Sequence, residues 1–473
     1  MTMPATVAED PPPRGFAAPL DLGGRDVRRT IIRLALPTVA GLSINALHHT
    51  VNAVFVGMIG AHAMAAITVV FPLLIVVAAV GEGLGVGIAA TIARLLGKGA
   101  LGRASVTAST VLVLAVPIGL SLTAIILLLR RPLLILFGAT AETWPMAETY
   151  LCITAFGATL TLLQIISDFV AIAEGNTRFS MWTLLGGFTL NIVLDPILIF
   201  GVGLGVAGAA VATMLSQLAV IAAYAVYFHR RAGRVRVSLR FARLRLRILL
   251  PVVAMGFSTT LASILTSVAL AMVYHQAGVF GGDTAIAGLG IALRLLTLGS
   301  LPLLGFTLGA QPVVGFAWGA GDRARVLAAI RFALAAATAF ALLYGSTVIV
   351  LAGPIARMFT TDPAVQMLAA NAIVAIHAAF LLAAPRMVVL VLLQAMGQAR
   401  RAALVSLAPQ GYLLIPLLIV LPHWFGINGI VASLVLAATL TSLLAIALLI
   451  PIMRDLVRER LPFARTVGLV RTR

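Results

Sequence analysis

Apolar runs long enough to cross a bilayer recur along the whole chain, and this feature restricts the fold more than any other. A run of about 18 residues can cross a hydrocarbon core roughly 30 Å thick as a helix. Because lipid offers no hydrogen-bond partners, every backbone polar group must be paired within the protein, and repeated long runs favour helices over a β-barrel. Twelve spans are centred near residues 45, 78, 118, 160, 190, 216, 261, 296, 339, 381, 411 and 438. The sequence therefore predicts an all-α polytopic membrane protein.

The formal net charge of +18 indicates membrane topology rather than nucleic-acid binding. The N-terminal segment, the even-numbered loops and the C-terminal tail hold 28 of the 33 Lys and Arg residues, whereas the other side holds Arg130, Arg131 and Arg357. Arg294 and Arg386 lie inside spans. The positive-inside rule then predicts cytoplasmic N- and C-termini. We expect a multi-pass protein of the cytoplasmic (inner) membrane. The basic residues are also expected to attract anionic lipids.

No pattern typical of an enzyme is present. The single cysteine, Cys152, lies within a span, so neither a disulfide framework nor a cysteine metal site is expected. The stretch "GEGLGVG" (81–87) lacks the Lys-Ser/Thr ending and the preceding strand of a phosphate loop, which favours close helix packing. Glu82 within it has no assigned role. We predict no enzymatic activity and no cofactor other than a coupling ion.

The two halves of the chain have the same arrangement of spans and motifs. Several motifs recur in the same order at an offset of 222 residues, which indicates duplication. The aligned pairs include Gly97 with Gly319, Gly99 with Gly321, Arg103 with Arg325, Gly175 with Gly397, and Arg178 with Arg400. Six spans per half is an even number, so both halves enter the membrane from the same side. This arrangement predicts two six-helix bundles related by a pseudo-two-fold axis along the membrane normal, as in some secondary transporters.

The domain boundaries follow from this plan. The predicted units are a disordered cytoplasmic tail over 1–28, an N-lobe over 29–228, a basic cytoplasmic linker over 229–247, a C-lobe over 248–452 and a basic cytoplasmic tail over 453–473. A channel or a lipid scramblase could share this plan, but we expect a transporter.

Polar residues follow one face of the fourth span. They are separated by 4, 3, 4, 3 and 4 residues, which places them on one side of a helix. These residues are Tyr150, Thr154, Gly157, Thr161, Gln164 and Asp168. Such a face either lines a cavity or forms hydrogen bonds between helices.

The fifth span carries Asn191 and Asp195 at positions i and i+4, followed by Pro196. A buried carboxylate can bind a proton, because burial disfavours its charged form. With amide, hydroxyl and carbonyl oxygens it can instead bind a hard cation such as Na⁺. Thr213 and Gln217 form another i, i+4 polar pair in the sixth span.

The first span aligns Thr38, Asn45, His49 and Asn52 at helical spacing. Histidine titrates near physiological pH and could relay protons, but it can equally be a neutral side chain bonded to a backbone carbonyl. The predicted substrate-cavity residues are Tyr150, Thr154, Thr161, Gln164, Asn45, His49, Gln217 and Arg294.

The chain resembles the multidrug and toxic compound extrusion (MATE) family, in its DinF-like branch, along nearly its whole length. The resemblance rests on stretches such as "VNAVFVGMIG", "LNIVLDPILIFGVGLGVAGAAVAT", "GAQPVVGFAWGAGDRARV" and "LLQAMGQARRA". It implies export of amphiphilic, often cationic compounds driven by inward H⁺ or Na⁺. Of the residues that DinF-type members use in the N-lobe, Asn191, Asp195 and Thr213 match, whereas Asn52 stands where an Asp is expected.

This difference leads to a hypothesis about the coupling site. Asp168 could restore the missing carboxylate, so that the ion-coupling residues are Asp195, Asn191, Asp168, Asn52 and Thr213. A Na⁺ ion would be held by Asp195, Asn191, Asn52 and Thr213. The expected partners are small amphiphilic organic compounds and membrane lipids, with the protein acting as a monomer. The alternative is a flippase of lipid-linked precursors from the same wider superfamily, in which Arg294 and Arg386 would bind a pyrophosphate head group.

Overall fold

The computed structural model describes residues 19–458, apart from the side chains of Ala46, His49, Thr50 and Ala61. Within these residues the chain is almost entirely helical and contains no β-strand. The helices are α1 Val27–Ile59, α2 Ala61–Gly97, α3 Leu101–Leu128, α4 Arg130–Leu136, α5 Trp144–Phe156, α6 Ala158–Ala173, α7 Thr177–Pro196, α8 Val206–His229, α9 Leu246–Ala320, α10 Arg323–Val350, α11 Ala352–Phe359, α12 Pro363–Phe380, α13 Ala383–Met396, α14 Ala399–Leu407 and α15 Leu414–Val457. Two π-helical turns, Ile197–Gly201 and Ala408–Tyr412, and a short 3₁₀ turn, Leu239–Phe241, complete the list.

These helices form the twelve predicted spans. Eight helical segments of the described chain are long and apolar enough to cross a membrane, and the pair α5 and α6, bent by 48°, makes a ninth. α9 and the segment Ala399–Val457, which comprises α14, a π-turn and α15, each contain a turn at a glycine with positive φ, Gly282 (59°) and Gly426 (57°), so each supplies two spans. α1 adds the last span, while α13 continues the span begun by α12. The predicted fold class is confirmed.

The duplication is visible in the helix boundaries. Shifted by 222 residues, α3 coincides at both ends with α10, Arg323–Val350. The short helix α4 shifts onto α11, Ala352–Phe359, with a difference of one residue at the end. Both lobes therefore repeat not only the spans but also a short helix after the third span.

The two lobes are joined at one end of the molecule. We call this the linker end, because the linker 230–245, the start of α1 and the end of α2 all lie there. One hydrophobic cluster combines N-lobe residues, including Ile31 and Leu34, with C-lobe residues, including Val313 and Leu392. In the other half of the described molecule, one buried cluster contains only N-lobe residues and a second only C-lobe residues. The lobes thus pack together at the linker end and diverge away from it.

Glycines allow the close approach at the linker end. A Cβ atom on Gly87 would lie 2.2 Å from the carbonyl oxygen of Val252, and one on Gly83 would lie 2.6 Å from that of Gly256. Because real Cβ atoms do not approach backbone so closely, only glycine fits at these positions. The packing role predicted for residues 81–87 is confirmed.

The predicted N-terminal tail was too long. Leu22 is completely buried in the cluster that joins the lobes, because the segment before α1 lies between them. The N–H of Leu20 donates to the Gly175 carbonyl of the N-lobe at 3.1 Å, and Arg325 of the C-lobe donates to the carbonyls of Leu22 and Gly24. Residues 1–18 of the predicted tail, and 459–473 of the C-terminal one, lie outside the described residues. α15 itself extends to Val457.

Candidate functional site in the N-lobe

The N-lobe contains a cavity of about 480 Å³ between six helices. Its wall is largely apolar, with a few polar side chains from α1, α2, α5, α6 and α8. The polar residues on it are His48, Asn52, Thr68, Tyr150, Thr154, Thr161, Thr213 and Gln217. An apolar pocket with a few convergent polar groups is the usual form of a small-molecule site.

Asp195 and Asn191 lie on α7, next to this cavity but not on its wall. The Asp195 side chain has no exposed surface, and Asn191 is also buried. In the orientation that satisfies both ends of its amide, Asn191 donates to Asp195 Oδ2 at 3.3 Å and accepts from the backbone N–H of Thr213 at 3.2 Å. The amide therefore connects the carboxylate to a residue that does line the cavity.

The helix changes its winding directly after this carboxylate. Pro196 has no N–H, so the carbonyl of Ile192 loses its usual donor four residues later. A π-helical turn over Ile197–Gly201 follows, with the Val202 N–H donating to the Ile197 carbonyl at 2.8 Å. Such π-turns occur frequently at functional sites.

Asn52 lines the cavity together with Thr213. Its side-chain Oδ1 is buried and has no hydrogen-bond partner among the described residues. The Thr213 hydroxyl donates to the Ala209 carbonyl at 3.0 Å, which leaves its lone pairs available to a ligand. His48, one turn before Asn52, stacks on Phe188 of α7 with ring centroids 4.5 Å apart.

The polar face of the fourth span divides at the bend between α5 and α6. Tyr150, Thr154 and Thr161 line the cavity, and Gln217 of α8 donates to the Thr161 hydroxyl at 3.0 Å. Beyond Thr161, Asp168 on the same face forms an interhelical hydrogen bond with Tyr224 of α8 instead. Both interpretations of this face are therefore correct, each for one part of it.

The structure does not bring Asp168 and Asp195 together. Asp168 accepts a hydrogen bond from the Tyr224 hydroxyl at 2.7 Å, and Tyr224 in turn contacts the Thr183 hydroxyl at 3.1 Å. Twelve residues, or about 18 Å of helical rise, separate Thr183 from Asp195 along α7. Asp168 thus belongs to a different hydrogen-bond network, nearer the linker end, and the two carboxylates do not form the pair that was hypothesised.

Several other predicted residues lie away from the cavity wall. Asn45 is half-buried on α1, and Gln164 on α6 has a buried Oε1 without a partner among the described residues. Arg294 is exposed on α9 in the C-lobe. The side chain of His49 lies outside the described part of the structure.

Sequence reasoning missed the apolar part of the wall. Met64 and Phe71 of α2 and Met214 of α8 line the cavity. No sequence signal separates them from residues that face lipid, because both surfaces are apolar. Tyr224 was also missed, because its hydrogen bond to Asp168 joins α8 to α6, and the spacing of residues along a single helix does not predict such a contact.

Two duplicated six-span lobes joined at one end, with a largely apolar cavity beside a buried carboxylate, define a membrane transporter. No group of three or more His, Cys, Asp or Glu side chains that could hold a metal ion occurs among residues 19–458. The chain belongs to the MatE family, whose pattern matches twice, over residues 37–197 and 258–420. The two matched segments correspond to the two lobes.

Known proteins resemble the chain along nearly its whole length. Multidrug export protein MepA of Staphylococcus aureus (strain NCTC 8325 / PS 47) is 28% identical over 430 residues, which cover 91% of this chain and 94% of MepA. A structure described as the outward-facing conformation of a multidrug resistance MATE family transporter superposes with a TM-score of 0.85 at 24% identity, covering 92% of this chain and 98% of that one. A transporter of the MOP superfamily from Pyrococcus furiosus Vc1 (DSM3638) gives a TM-score of 0.85 at 25% identity over the same shares. These relatives are transport proteins, not enzymes.

Proposed function

We propose that the chain is a secondary active multidrug exporter that expels amphiphilic, cationic organic compounds in exchange for H⁺ or Na⁺. The observation that carries this proposal is the fully buried Asp195 carboxylate, linked through Asn191 to the wall of a largely apolar cavity. An ionisable group inside a membrane bundle is costly and is typically kept for function. The similarity to MepA, a multidrug export protein, supports the same function.

The arrangement of the lobes supports alternating access. The positive-inside rule predicts that the basic linker end lies in the cytoplasm of a cell with an inner membrane. In that orientation the structure is closed toward the cytoplasm and opens outward. Ion binding at Asp195 neutralises its charge and changes the hydrogen bonds of Asn191 and Thr213, which reach the cavity. Substrate release and ion entry would then be coupled through the wall that the two sites share.

The donor set suits either coupling ion. A carboxylate, an amide oxygen, a hydroxyl and the free Asn52 oxygen are the oxygen ligands that Na⁺ prefers. A proton needs only the Asp195 carboxylate. With an amide at position 52 the site has a single carboxylate, so we expect weak Na⁺ binding.

The proposal is tested in proteoliposomes that carry an imposed pH or Na⁺ gradient. We expect gradient-driven transport of a cationic dye by the wild type and a loss of at least about tenfold in Asp195→Asn, because the amide cannot take up the ion. Asp168→Asn is the matched control: it should retain the response to the gradient, since Asp168 lies in the Tyr224 network. Full gradient-driven transport by Asp195→Asn would contradict the proposal.

One observation favours a second function, flipping of lipid-linked precursors. Arg386 on α13 is largely buried, and no ion pair or hydrogen bond joins it to any residue between 19 and 458. An unpaired guanidinium suits an anionic head group. The Pyrococcus furiosus relative is described as having a binding pocket of reverse polarity and a different function. Energy-independent accumulation of dyes by cells that express the chain would favour this alternative.

A further inference from the structure

Glu82 is an acidic side chain in the middle of α2 that the proposed coupling site does not use. It lies 21 residues after the start of this 37-residue helix and is exposed. A charge at this depth has to face the bundle interior or a water-filled space, because hydrocarbon would not solvate it. The direction in which it points therefore decides its role.

Glu82 continues the cavity-lining face of α2. The cavity residues Thr68, Phe71, Ile75 and Ala78 are spaced by 3, 4 and 3 residues, and Glu82 follows Ala78 after four more. Residues with this spacing lie on one face of a helix. Glu82 thus lies one turn below the cavity wall, toward the linker end.

Its neighbours place this carboxylate between the lobes. Glu82 accepts a hydrogen bond from the Ser263 hydroxyl of the C-lobe at 3.3 Å. The next residue, Gly83, packs against Gly256 and Thr260, and the Thr260 hydroxyl donates to the Ala79 carbonyl at 3.0 Å. The carboxylate therefore lies where the cavity face of the N-lobe meets the C-lobe, at the level where the lobes begin to diverge.

The fold itself does not need an acid at this position. At the 222-residue offset, Glu82 corresponds to Leu304 of the C-lobe, which has the same helix in the same place. Ser263 is its one hydrogen-bond partner among the described residues, and no Lys, Arg or His there forms an ion pair with it. The carboxylate is therefore available to a positive charge that comes from outside the chain.

We propose that Glu82 binds the cationic group of the transported compound at the floor of the cleft between the lobes, separately from the ion site at Asp195. The apolar wall formed by Phe71, Ile75 and Ala78 contacts the hydrophobic body of the compound, while Glu82 pairs with its charge. The identity of the ligand rests on the proposed export function, but its binding does not require transport.

Equilibrium binding in nanodiscs tests this inference. The probes are tetraphenylphosphonium and tetraphenylborate, which have nearly the same size and shape but opposite charge, with empty nanodiscs as the blank for lipid partitioning. We expect the wild type to prefer the cation, and Glu82→Gln to weaken cation binding about tenfold without weakening binding of the anion. Glu82→Asp should keep most of the preference.

Two further variants distinguish the effect of the Glu82 charge from structural effects of a substitution. Ser263→Ala removes the interlobe hydrogen bond but keeps the carboxylate, so it should retain the preference for the cation. Asp195→Asn should also retain it, although it loses gradient-driven transport. Equal affinity for tetraphenylphosphonium in the wild type and Glu82→Gln would overturn the inference, as would an equal loss in Ser263→Ala. Both results are measured by binding alone, so neither depends on whether the wild type transports the probe.

Discussion

At the scale of single residues, polar groups in this protein belong to separate sites that one helix face does not reveal. Asp195 and Asn191 lie beside the cavity, Asp168 bonds to Tyr224, and Glu82 faces the C-lobe. Glu174 is a further case. It follows α6, outside the spans, and it is completely buried.

Glu174 attaches the linker to the N-lobe. One of its carboxylate oxygens accepts from the backbone N–H groups of Arg234 at 2.7 Å and Val235 at 2.9 Å, and the other accepts from the Tyr227 hydroxyl. Burial raises the pKa of the Glu174 carboxyl to about 7, although these hydrogen bonds oppose the rise. The protonated form is therefore favoured by folding.

This pKa predicts a pH-dependent stability. Because the pKa in the folded state lies above its ordinary value, the stabilisation by Glu174 is fully present below about pH 4.5 and is lost as the pH rises through about 7, a change on the order of 3 kcal/mol. Glu174→Gln should remove this dependence. Thermal unfolding in detergent between pH 5 and 8 measures it, with the exposed Glu142→Gln as the control. Parallel pH profiles for the wild type and Glu174→Gln would contradict the assignment.

At the scale of helices, the contact between α2 and α9 determines how closely the lobes approach. The helices touch through glycine and backbone atoms on the linker half of α2. This contact depends on the absence of side chains rather than on any specific attraction. The two helices can therefore separate without leaving a charged or hydrogen-bonding group unpaired, except for the few side chains that form hydrogen bonds between the lobes.

Gly87→Ala should disturb this contact. The added Cβ would lie 2.2 Å from the Val252 carbonyl oxygen, and such overpacking typically costs about 1–3 kcal/mol. We expect a lower melting temperature and a larger distance between spin labels placed on the two lobes at the linker end. Gly186→Ala is the matched control, because no atom lies within 4 Å of its Cβ position. Equal melting temperatures for the two variants would contradict this account.

At the scale of the whole molecule, the lobes are two similar bundles with different chemistry. The acids within spans are confined to the N-lobe, whereas the C-lobe carries Arg294 and Arg386. The lobes meet at the linker end. The segment before α1, the linker and the contact between α2 and α9 all lie there. The alternating access that we propose requires this end to open.

A disulfide across the linker end should therefore stop transport. In a Cys152→Ala background, Ala93→Cys and Gly315→Cys would place two Cβ atoms about 2.9 Å apart, so a small shift gives disulfide geometry. We expect oxidation to reduce transport at least about tenfold and a reductant to restore it. The single-cysteine variants serve as controls. Undiminished transport by the fully cross-linked protein would contradict alternating access at this end.

The sequence by itself determined the spans, the duplication, the linker and the local pairing of Asn191 with Asp195. Each of these depends on neighbours within one helix or on repetition along the chain, so spacing is sufficient to predict it. The tertiary structure alone decided which helix faces meet. It separated Asp168 from Asp195, placed Glu82 against Ser263 and buried Leu22 between the lobes. These contacts depend on the rotation and depth of helices that are distant in sequence, and an apolar helix surface carries little information about either.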